Sequence, residues 1–369
     1  MKHLIYADNA ATTQMDVDVF EAMKPYLLHE YGNASQPYSF ARQPKKAIQE
    51  ARETIASCIG ALPEEIYFTS GGTESDNWAI KGIAFRNYDH RATITTAFEH
   101  HAVLHACEAI ERLGCPVAYM LPDKRGFVSP DSLERYITDE TFLVSVMYAN
   151  NELGSIQPIK ELCKVAHDHG ALFHTDAVQA VGHVAINVND LGVDMLSASA
   201  HKFNGAKGVG FLYIRTGTTL PPYADGGAQE HRLRAGTENV AGIVSMAVAL
   251  KKNVNDLDKN QRHILKLEGL LLQALNESGI PYVRNGGDHT LPGVISLSFD
   301  GKDGEAILHR MDLMGVCIST GSACDSKNTE ISHVLPESLA KGTIRISLGK
   351  NNTADDIDTI VTALRKILL

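Results

Sequence analysis

Residues 197 to 210 read Ser-Ala-Ser-Ala-His201-Lys202-Phe-Asn-Gly-Ala-Lys-Gly-Val-Gly, which sets a lysine between a histidine and a glycine-rich turn. A partly desolvated amine beside a cationic ring or a histidine has its pKa lowered enough to attack an aldehyde, so Lys202 is a candidate for a Schiff base. Pyridoxal phosphate is the aldehyde this points to. A surface lysine in a mobile loop would read the same way, so other segments must decide. Ala171-Leu-Phe-His-Thr-Asp176-Ala-Val-Gln179 reads as a short buried strand with a carboxylate at its C-terminal end, where open α/β sheets place their ligands. A pyridoxal enzyme needs that anion beside the pyridinium nitrogen, and Gln179 could donate to the ring's phenolic oxygen. Without Lys202, Asp176 would read as the cap of a following helix.

A phosphate group needs its own cradle. Ile66-Tyr-Phe-Thr-Ser70-Gly71-Gly72-Thr73-Glu-Ser75 supplies a strand, two glycines and then hydroxyl residues opening a helical stretch from Asp76 to Phe85. Backbone N–H groups at such a start bind anions, and glycine lets the anion approach. In Ala97-Phe-Glu-His100-His101-Ala, after a strand at 93–96, His100 or His101 could stack on a ring. Asn150-Asn151-Glu152 follows another strand and is equally compatible with a plain turn. Far downstream, Thr320-Gly321-Ser322-Ala323-Cys324-Asp-Ser-Lys surrounds a thiol with small and polar residues, the setting of a nucleophile on an exposed loop. Cys317, between Val316 and Ile318, fits a core strand. Six cysteines without CxxC spacing argue against a zinc site and against a disulfide framework.

With these segments in place the chain resembles the cysteine desulfurases of the NifS/IscS type, pyridoxal-phosphate enzymes of the class V aminotransferase group. The resemblance runs from Tyr6-Ala-Asp8-Asn9-Ala-Ala-Thr12-Thr13 to Arg345-Ile-Ser-Leu-Gly349. It implies that Lys202 carries the cofactor, His100 stacks on the ring, Asp176 pairs with the pyridinium and Gln179 contacts the phenolic oxygen. Gly72, Thr73, Ser199 and His201 are implied to hold the phosphate, with Thr237 of Arg234-Ala-Gly-Thr237-Glu-Asn reaching in from a partner subunit of a homodimer. Asn33, Asn151 and Arg345 match the holders of the substrate carboxylate, Asn151 also touching the cofactor, and Cys324 matches the persulfide-forming cysteine. L-cysteine would thus become L-alanine, and its sulfur would pass to an acceptor: an iron–sulfur scaffold, a tRNA-thiolation protein or DNA-sulfur modification machinery. With such an acceptor Cys324 would also serve as a transient iron–sulfur ligand. Two departures stand out. Gly32-Asn33-Ala34-Ser35-Gln36-Pro37-Tyr38 replaces the usual Gly-Asn-Pro-Ser-Ser-x-His, and the stretch from Ser332 to Leu339 is short against the family's pattern. A selenocysteine lyase or another class V enzyme would keep Lys202 and Asp176 without needing Cys324, and a non-enzymatic scaffold would have lost one of the first two.

These residues require a sheet to hold them. Strands near 66–70, 93–97, 116–120, 142–148, 171–176, 193–198 and 209–214 alternate with helical stretches, the rhythm of a mainly parallel sheet covered on both faces. Together with the resemblance this gives an α/β chain of the type I pyridoxal-dependent transferase fold: a seven-stranded large domain over residues 15–255, and a smaller α+β domain from 1–14 and 256–369 that carries the cysteine loop. The boundary falls within a long helical stretch, near 250–260. The 8–13 segment is expected at the cleft between the domains. The chain has 369 residues, 44% of them hydrophobic, and lacks an apolar run near the ~20 residues that span a bilayer. No signal peptide is legible, so a cytoplasmic location is expected. A net charge of −10 disfavours direct binding of nucleic acid.

Overall fold

All seven strands expected between residues 66 and 214 form, and they share one sheet. The computed structural model describes residues 4–86, 92–320, 335 and 337–369. After a short β1 (Ile5–Tyr6), the sheet comprises β2 (Ile66–Thr69), β3 (Ala92–Thr96), β4 (Val117–Met120), β5 (Thr141–Ser145), β6 (Leu172–Asp176), β7 (Met195–Ser199) and β8 (Gly210–Ile214). Their order is β2-β8-β7-β6-β5-β3-β4. β3 to β7 run parallel, and β8 is antiparallel to both its neighbours. The carboxyl ends of β3, β5, β6 and β7 therefore lie along one edge, where such sheets bind ligands.

Side chains alternate between two apolar layers, as the period of a strand requires. Val144, Phe173, Leu196 and Phe211 point into a core shared with helices Arg42–Ile59, Ile159–Asp168 and Val240–Asn255. Leu143, Met195 and Leu212 face the other way, onto Trp78, Ile80 and Ile83 of helix Gly72–Arg86 and Val103 and Ala106 of helix His101–Glu111. The first of these helices starts four residues before the expected Asp76. Ser75 Oγ bonds back to Gly71 O at 3.2 Å and Glu74 accepts from Ser70 N at 3.0 Å, which closes the first turn earlier than periodicity suggests.

A second core is built from Leu267, Leu271, Ile295, Leu297, Ile344, Ile346, Ile360 and Leu364, joined by Ile5 and Ala7 from the other end of the chain. Its sheet adds β9 (Val283–Arg284), β10 (Val294–Ser298), β12 (Ser319–Thr320) and β13 (Thr343–Ser347) in the antiparallel order β12-β13-β10-β9, and β11 (Val316–Cys317) pairs in parallel with β1. The long helical stretch before it is two helices, Val240–Asn255 and Leu257–Ser278, broken at Asp256 with φ −94° and ψ 9°. The first packs into the large core through Ile243, Met246 and Leu250, the second into the small one through Ile264, Leu267 and Leu271. Two helices with different cores need not share an axis, and aspartate gives up helical geometry readily.

Candidate active site

One short segment touches four of the residues singled out above, Lys202, Gln179, His201 and Arg345. Lys202 ends a 3₁₀ turn, Ala200–Lys202, directly after β7, and its Nζ donates to Ala10 O at 2.6 Å and Ala11 O at 3.0 Å. Gln179 Nε2 donates to the same Ala10 O at 3.1 Å. His201 Nδ1 lies 3.1 Å from Thr12 Oγ1, and Thr13 donates to His201 O through both N, at 2.9 Å, and Oγ1, at 2.8 Å. At the other end of the segment Asp8 Oδ1 accepts from Arg345 Nη2 at 2.8 Å, and Asn9 N donates to Ser347 O at 3.0 Å. Residues 8–13 thus strap the large sheet to β13. Burial, with help from Lys202 and Lys207, lowers the His201 pKa to about 4, so the ring is neutral at pH 7. A cavity of about 60 Å³ is lined by Asn9, Ala10 and Thr13 of this strap and by Gln179.

Asp176 ends β6 and is 5% exposed. Its Oδ1 accepts from Val178 N at 2.9 Å, a local turn rather than a helix cap. Burial raises its pKa to about 6, and Lys202 pulls in the opposite direction. Val178 also locates the glycine pair: a Cβ built on Gly72 would lie 2.5 Å from Val178 Cγ2, and one on Gly71, where φ is +149°, 3.4 Å from Ser199 Oγ. Thr69, Gly210 and Ser199 lie in one row across β2, β8 and β7. The expected cradle, Gly71 to Thr73 with Ser199, is therefore one surface that abuts the Asp176 turn.

Arg345, on β13, is 1% exposed. Nη1 donates to Asn151 O at 2.7 Å and Nη2 to Asp8, while Nε has no hydrogen-bond partner. Asn151 meets the guanidinium through its backbone carbonyl, where a side-chain role was expected. Asn33 is half-buried, with Oδ1 accepting from Ser35 N at 2.9 Å. Thr237 is exposed, on a loop tied to the cradle's helix by Arg234 Nε to Glu74 Oε1 at 2.8 Å. Buried Glu230 anchors the same loop, accepting from Arg52 Nη2 at 2.7 Å and from Phe68 N at 2.9 Å. Glu230, His231 and Arg232 all take positive φ, at 43°, 57° and 69°.

His100 caps helix His101–Glu111, its Nδ1 accepting from Ala102 N at 3.1 Å, which in a neutral ring places the proton on Nε2. It stands beyond β3 on the carboxyl edge, and His101 is the first helical residue. Cys317 sits half-buried in β11 as expected, and Cys58, Cys107, Cys115, Cys163 and Cys317 are free thiols. Cys324 lies outside the described residues. The helix after it is four residues, Glu337–Ala340. Among the described residues no group of three or more His, Cys, Asp or Glu is placed to hold a metal ion, and no helix is long and apolar enough to cross a membrane. Sequence reasoning missed Asp8, which orients the arginine, and Glu230, which holds the Thr237 loop. The acidic residue in Tyr6-Ala-Asp8-Asn9 was a usable signal for the first; nothing local marks the second.

Comparison with known proteins agrees with this geometry. The family model described as Aminotransferase class-V matches residues 5–360. A protein named Cysteine desulfurase IscS from Dictyoglomus turgidum is 47% identical over 375 residues, covering 100% of this chain and 95% of the relative. A solved structure described as a NifS-like protein superposes with a TM-score of 0.94 at 36% identity, covering 99% of each chain. Another, described as SspA in complex with cysteine, gives a TM-score of 0.83 at 36% identity, covering 95% of this chain and 100% of the other.

Proposed function

The chain belongs to the class V aminotransferase family as a cysteine desulfurase dependent on pyridoxal phosphate, and we propose that Lys202, Asp176, Arg345 and Cys324 carry its reaction. The residues present fit the cofactor. Gly72 opens a helix where a side chain would collide with Val178, Gly71 precedes it at positive φ, Asp176 supplies a buried anion, and Lys202 supplies the amine. Gly72, Thr73, Ser199 and His201 would hold the phosphate, Asp176 the pyridinium, and Gln179, His100 and Asn151 the ring. Bound there, the cofactor supplies an electron sink for the substrate's α-carbon.

The observation that carries the reading is Arg345. Its guanidinium is 1% exposed and already held by Asp8 and Asn151 O, yet Nε has no partner, so a preoriented N–H is left that suits the planar, bidentate α-carboxylate of an amino acid. Arg345, with Asn33 and Asn151, orients L-cysteine by that carboxylate, while the strap keeps Lys202 within the same site to move the proton at Cα. The Cys324 thiolate then takes the substrate's sulfur. The carbon–sulfur bond breaks, a sulfur–sulfur bond forms, and the carbon regains a proton, so that L-cysteine and the Cys324 thiol give L-alanine and a Cys324 persulfide. Transfer of the persulfide's outer, sulfane sulfur to an acceptor thiol, which itself becomes the persulfide while its proton returns to Cys324, regenerates the thiol; an iron–sulfur scaffold is one such acceptor, with Cys324 as a passing metal ligand. Exposure of Thr237 on a well-anchored loop supports a homodimer in which that residue serves the partner's phosphate. The absence of a membrane-crossing helix among the described residues supports a cytoplasmic location. The separate apolar cores, divided at Asp256, support a large domain of residues 15–255 and a small one of 1–14 with 256–369.

The test has two parts. Borohydride reduction of the loaded protein should fix the cofactor on Lys202, and mapping to Lys207 would defeat the assignment. Incubation with L-cysteine should add about 32 Da, removable by dithiothreitol, to the Cys324 peptide. Sulfide release without that adduct would favour direct elimination.

A further inference from the structure

Beneath Asp176 lies a set of buried acid and base groups that the reaction above does not use. Asp76, on helix Gly72–Arg86, is 1% exposed and its Oδ1 has no hydrogen-bond partner. The nearest ionisable nitrogen is His174 Nε2, at 3.7 Å. His174 is fully buried between Ser145 Oγ, 2.9 Å from Nδ1, and Ser197 Oγ, 3.0 Å from Nε2. It lies two residues before Asp176 on β6 and so on the same face, and Ser197 is the residue paired with Asp176 across the β6–β7 ladder. A third buried carboxyl, Glu99, accepts from Thr96 Oγ1 at 2.7 Å and Met147 N at 2.8 Å. The groups facing Asp76 are thus Asp176, Glu99, His174 and Ser197, and none is a fixed cation.

Two neighbouring carboxylates cannot both stay ionised in a dry site, because each loses its hydration and gains a like charge. Asp176 has the stronger claim to the charge. It receives the Val178 N–H, feels the Lys202 ammonium, and lies at the end of its strand rather than under a helix. We propose that Asp76 is the proton-bearing partner of Asp176: a neutral carboxylic acid, set against His174 and Ser197, that leaves the cluster's negative charge on Asp176. Electrostatics point the same way. Burial, followed by the nearby Asp176, pushes Asp76 well above the ordinary carboxylate range, and burial holds His174 neutral with a pKa of about 3. Asp76 is a positioning residue on this account: it acts on the cofactor only through Asp176. Its functional meaning rests on the reading that Asp176 faces the pyridinium, whereas its protonation does not.

The experiment uses the wild type, Asp76→Asn and Asp176→Asn, each with and without cofactor at pH 7. Infrared spectra should show protonated-carboxyl absorption in the wild type, and Asp76→Asn should remove the Asp76 share of it while leaving that of Glu99, whose pKa burial raises to about 8. Cofactor affinity and the pH midpoint of its visible band should survive Asp76→Asn, the affinity within about threefold, because an amide is isosteric with a neutral acid. Asp176→Asn should weaken binding by more than about tenfold. Retention of the full carboxyl signal in Asp76→Asn, or a loss of affinity matching that of Asp176→Asn, would overturn the proposal. Loss of that share in Asp76→Asn with normal cofactor binding by Asp176→Asn would leave the protonation standing and refute the pyridinium assignment instead. Should Asp76→Asn fail to fold, carbon NMR of wild-type protein labelled at aspartate carboxyls decides: at pH 7 one buried aspartate must resonate as the protonated acid, and its absence refutes the claim.

Discussion

Gly210→Ala is a single methyl group placed against the cofactor's cradle from behind. Gly210 sits in β8 with an ordinary strand conformation, so by backbone entropy alone alanine should stabilise it by up to about 1 kcal/mol. Sterics oppose this. The new Cβ would stand 2.4 Å from Ala198 O and 2.7 Å from Gly71 Cα, both backbone atoms that no rotamer change can move. Contacts between carbon atoms settle near about 3.5–4.0 Å, so the gap must open by roughly 1 Å. Overpacking of this kind costs about 1–3 kcal/mol, and with rigid backbone on both sides the upper end is expected. The net loss is about 2 kcal/mol, a fall in Tm of about 2–4 °C for a chain of this size. Gly71 is the atom group displaced, and a shift of about 1 Å in a binding loop can cost as much as a hundredfold, so cofactor affinity should fall by at least about tenfold. Thermal unfolding of the apoprotein and titration with pyridoxal phosphate read the two effects. Gly269→Ala, on a helix with no neighbour within 4 Å, is the control and should raise Tm slightly. Unchanged Tm and cofactor affinity in Gly210→Ala would refute the packing of β8 against the cradle.

Arg345→Ala removes the carboxylate anchor and strands Asp8, so kcat/KM for L-cysteine should fall by about 2–5 kcal/mol while cofactor absorbance persists; steady-state kinetics showing an unchanged KM would point to another anchor. Cys324→Ser should retain the cofactor spectrum yet lose alanine and sulfide production, and continued turnover would exclude the persulfide route. His167 gains a pKa of about 10 through its 2.8 Å bond to Asp194, with Cys163 also contributing. A raised pKa stabilises fully below the unfolded value near 6.5 and is lost as pH climbs toward 10, so urea midpoints of the wild-type apoprotein should drop more steeply over that window than those of His167→Gln. Parallel curves would contradict the bond.

The placement of Lys202 and Asp176 at strand ends was legible because each is written locally, as a strand followed by a turn. The seven strands were legible for the same reason: buried β-rich runs punctuated by glycine. The helix break at Asp256 was not. Val254 and Leu257 keep helical spacing across it, and only the two separate cores show that the helices part there. Asp8 and Arg345 could each be quoted as part of a motif but their pairing could not, since they lie 337 positions apart. The Asp76–His174 pair is hidden more deeply, because it exists only where a helix crosses a strand, and neither residue's neighbours hint at a buried charge. Asn151 shows a further limit: its position was legible, but the group it offers to Arg345 is a backbone carbonyl that any residue possesses.

The strap of residues 8–13 also dictates when the site can come into being during synthesis. Every strand of the large sheet has left the ribosome once residue 214 and a short tail have emerged, and those strands can pair while β9 to β13 are still untranslated. Asp8 and Asn9, made first, find Arg345 and Ser347 only when β13 appears near the end of translation. Closing so long a loop is slow, though its entropy grows only with the logarithm of its length. A nascent or truncated chain can therefore hold the cradle glycines and Lys202 in place and still lack Arg345, the residue proposed to anchor the amino acid. The chemistry of sulfur release is withheld until the two ends of the polypeptide meet.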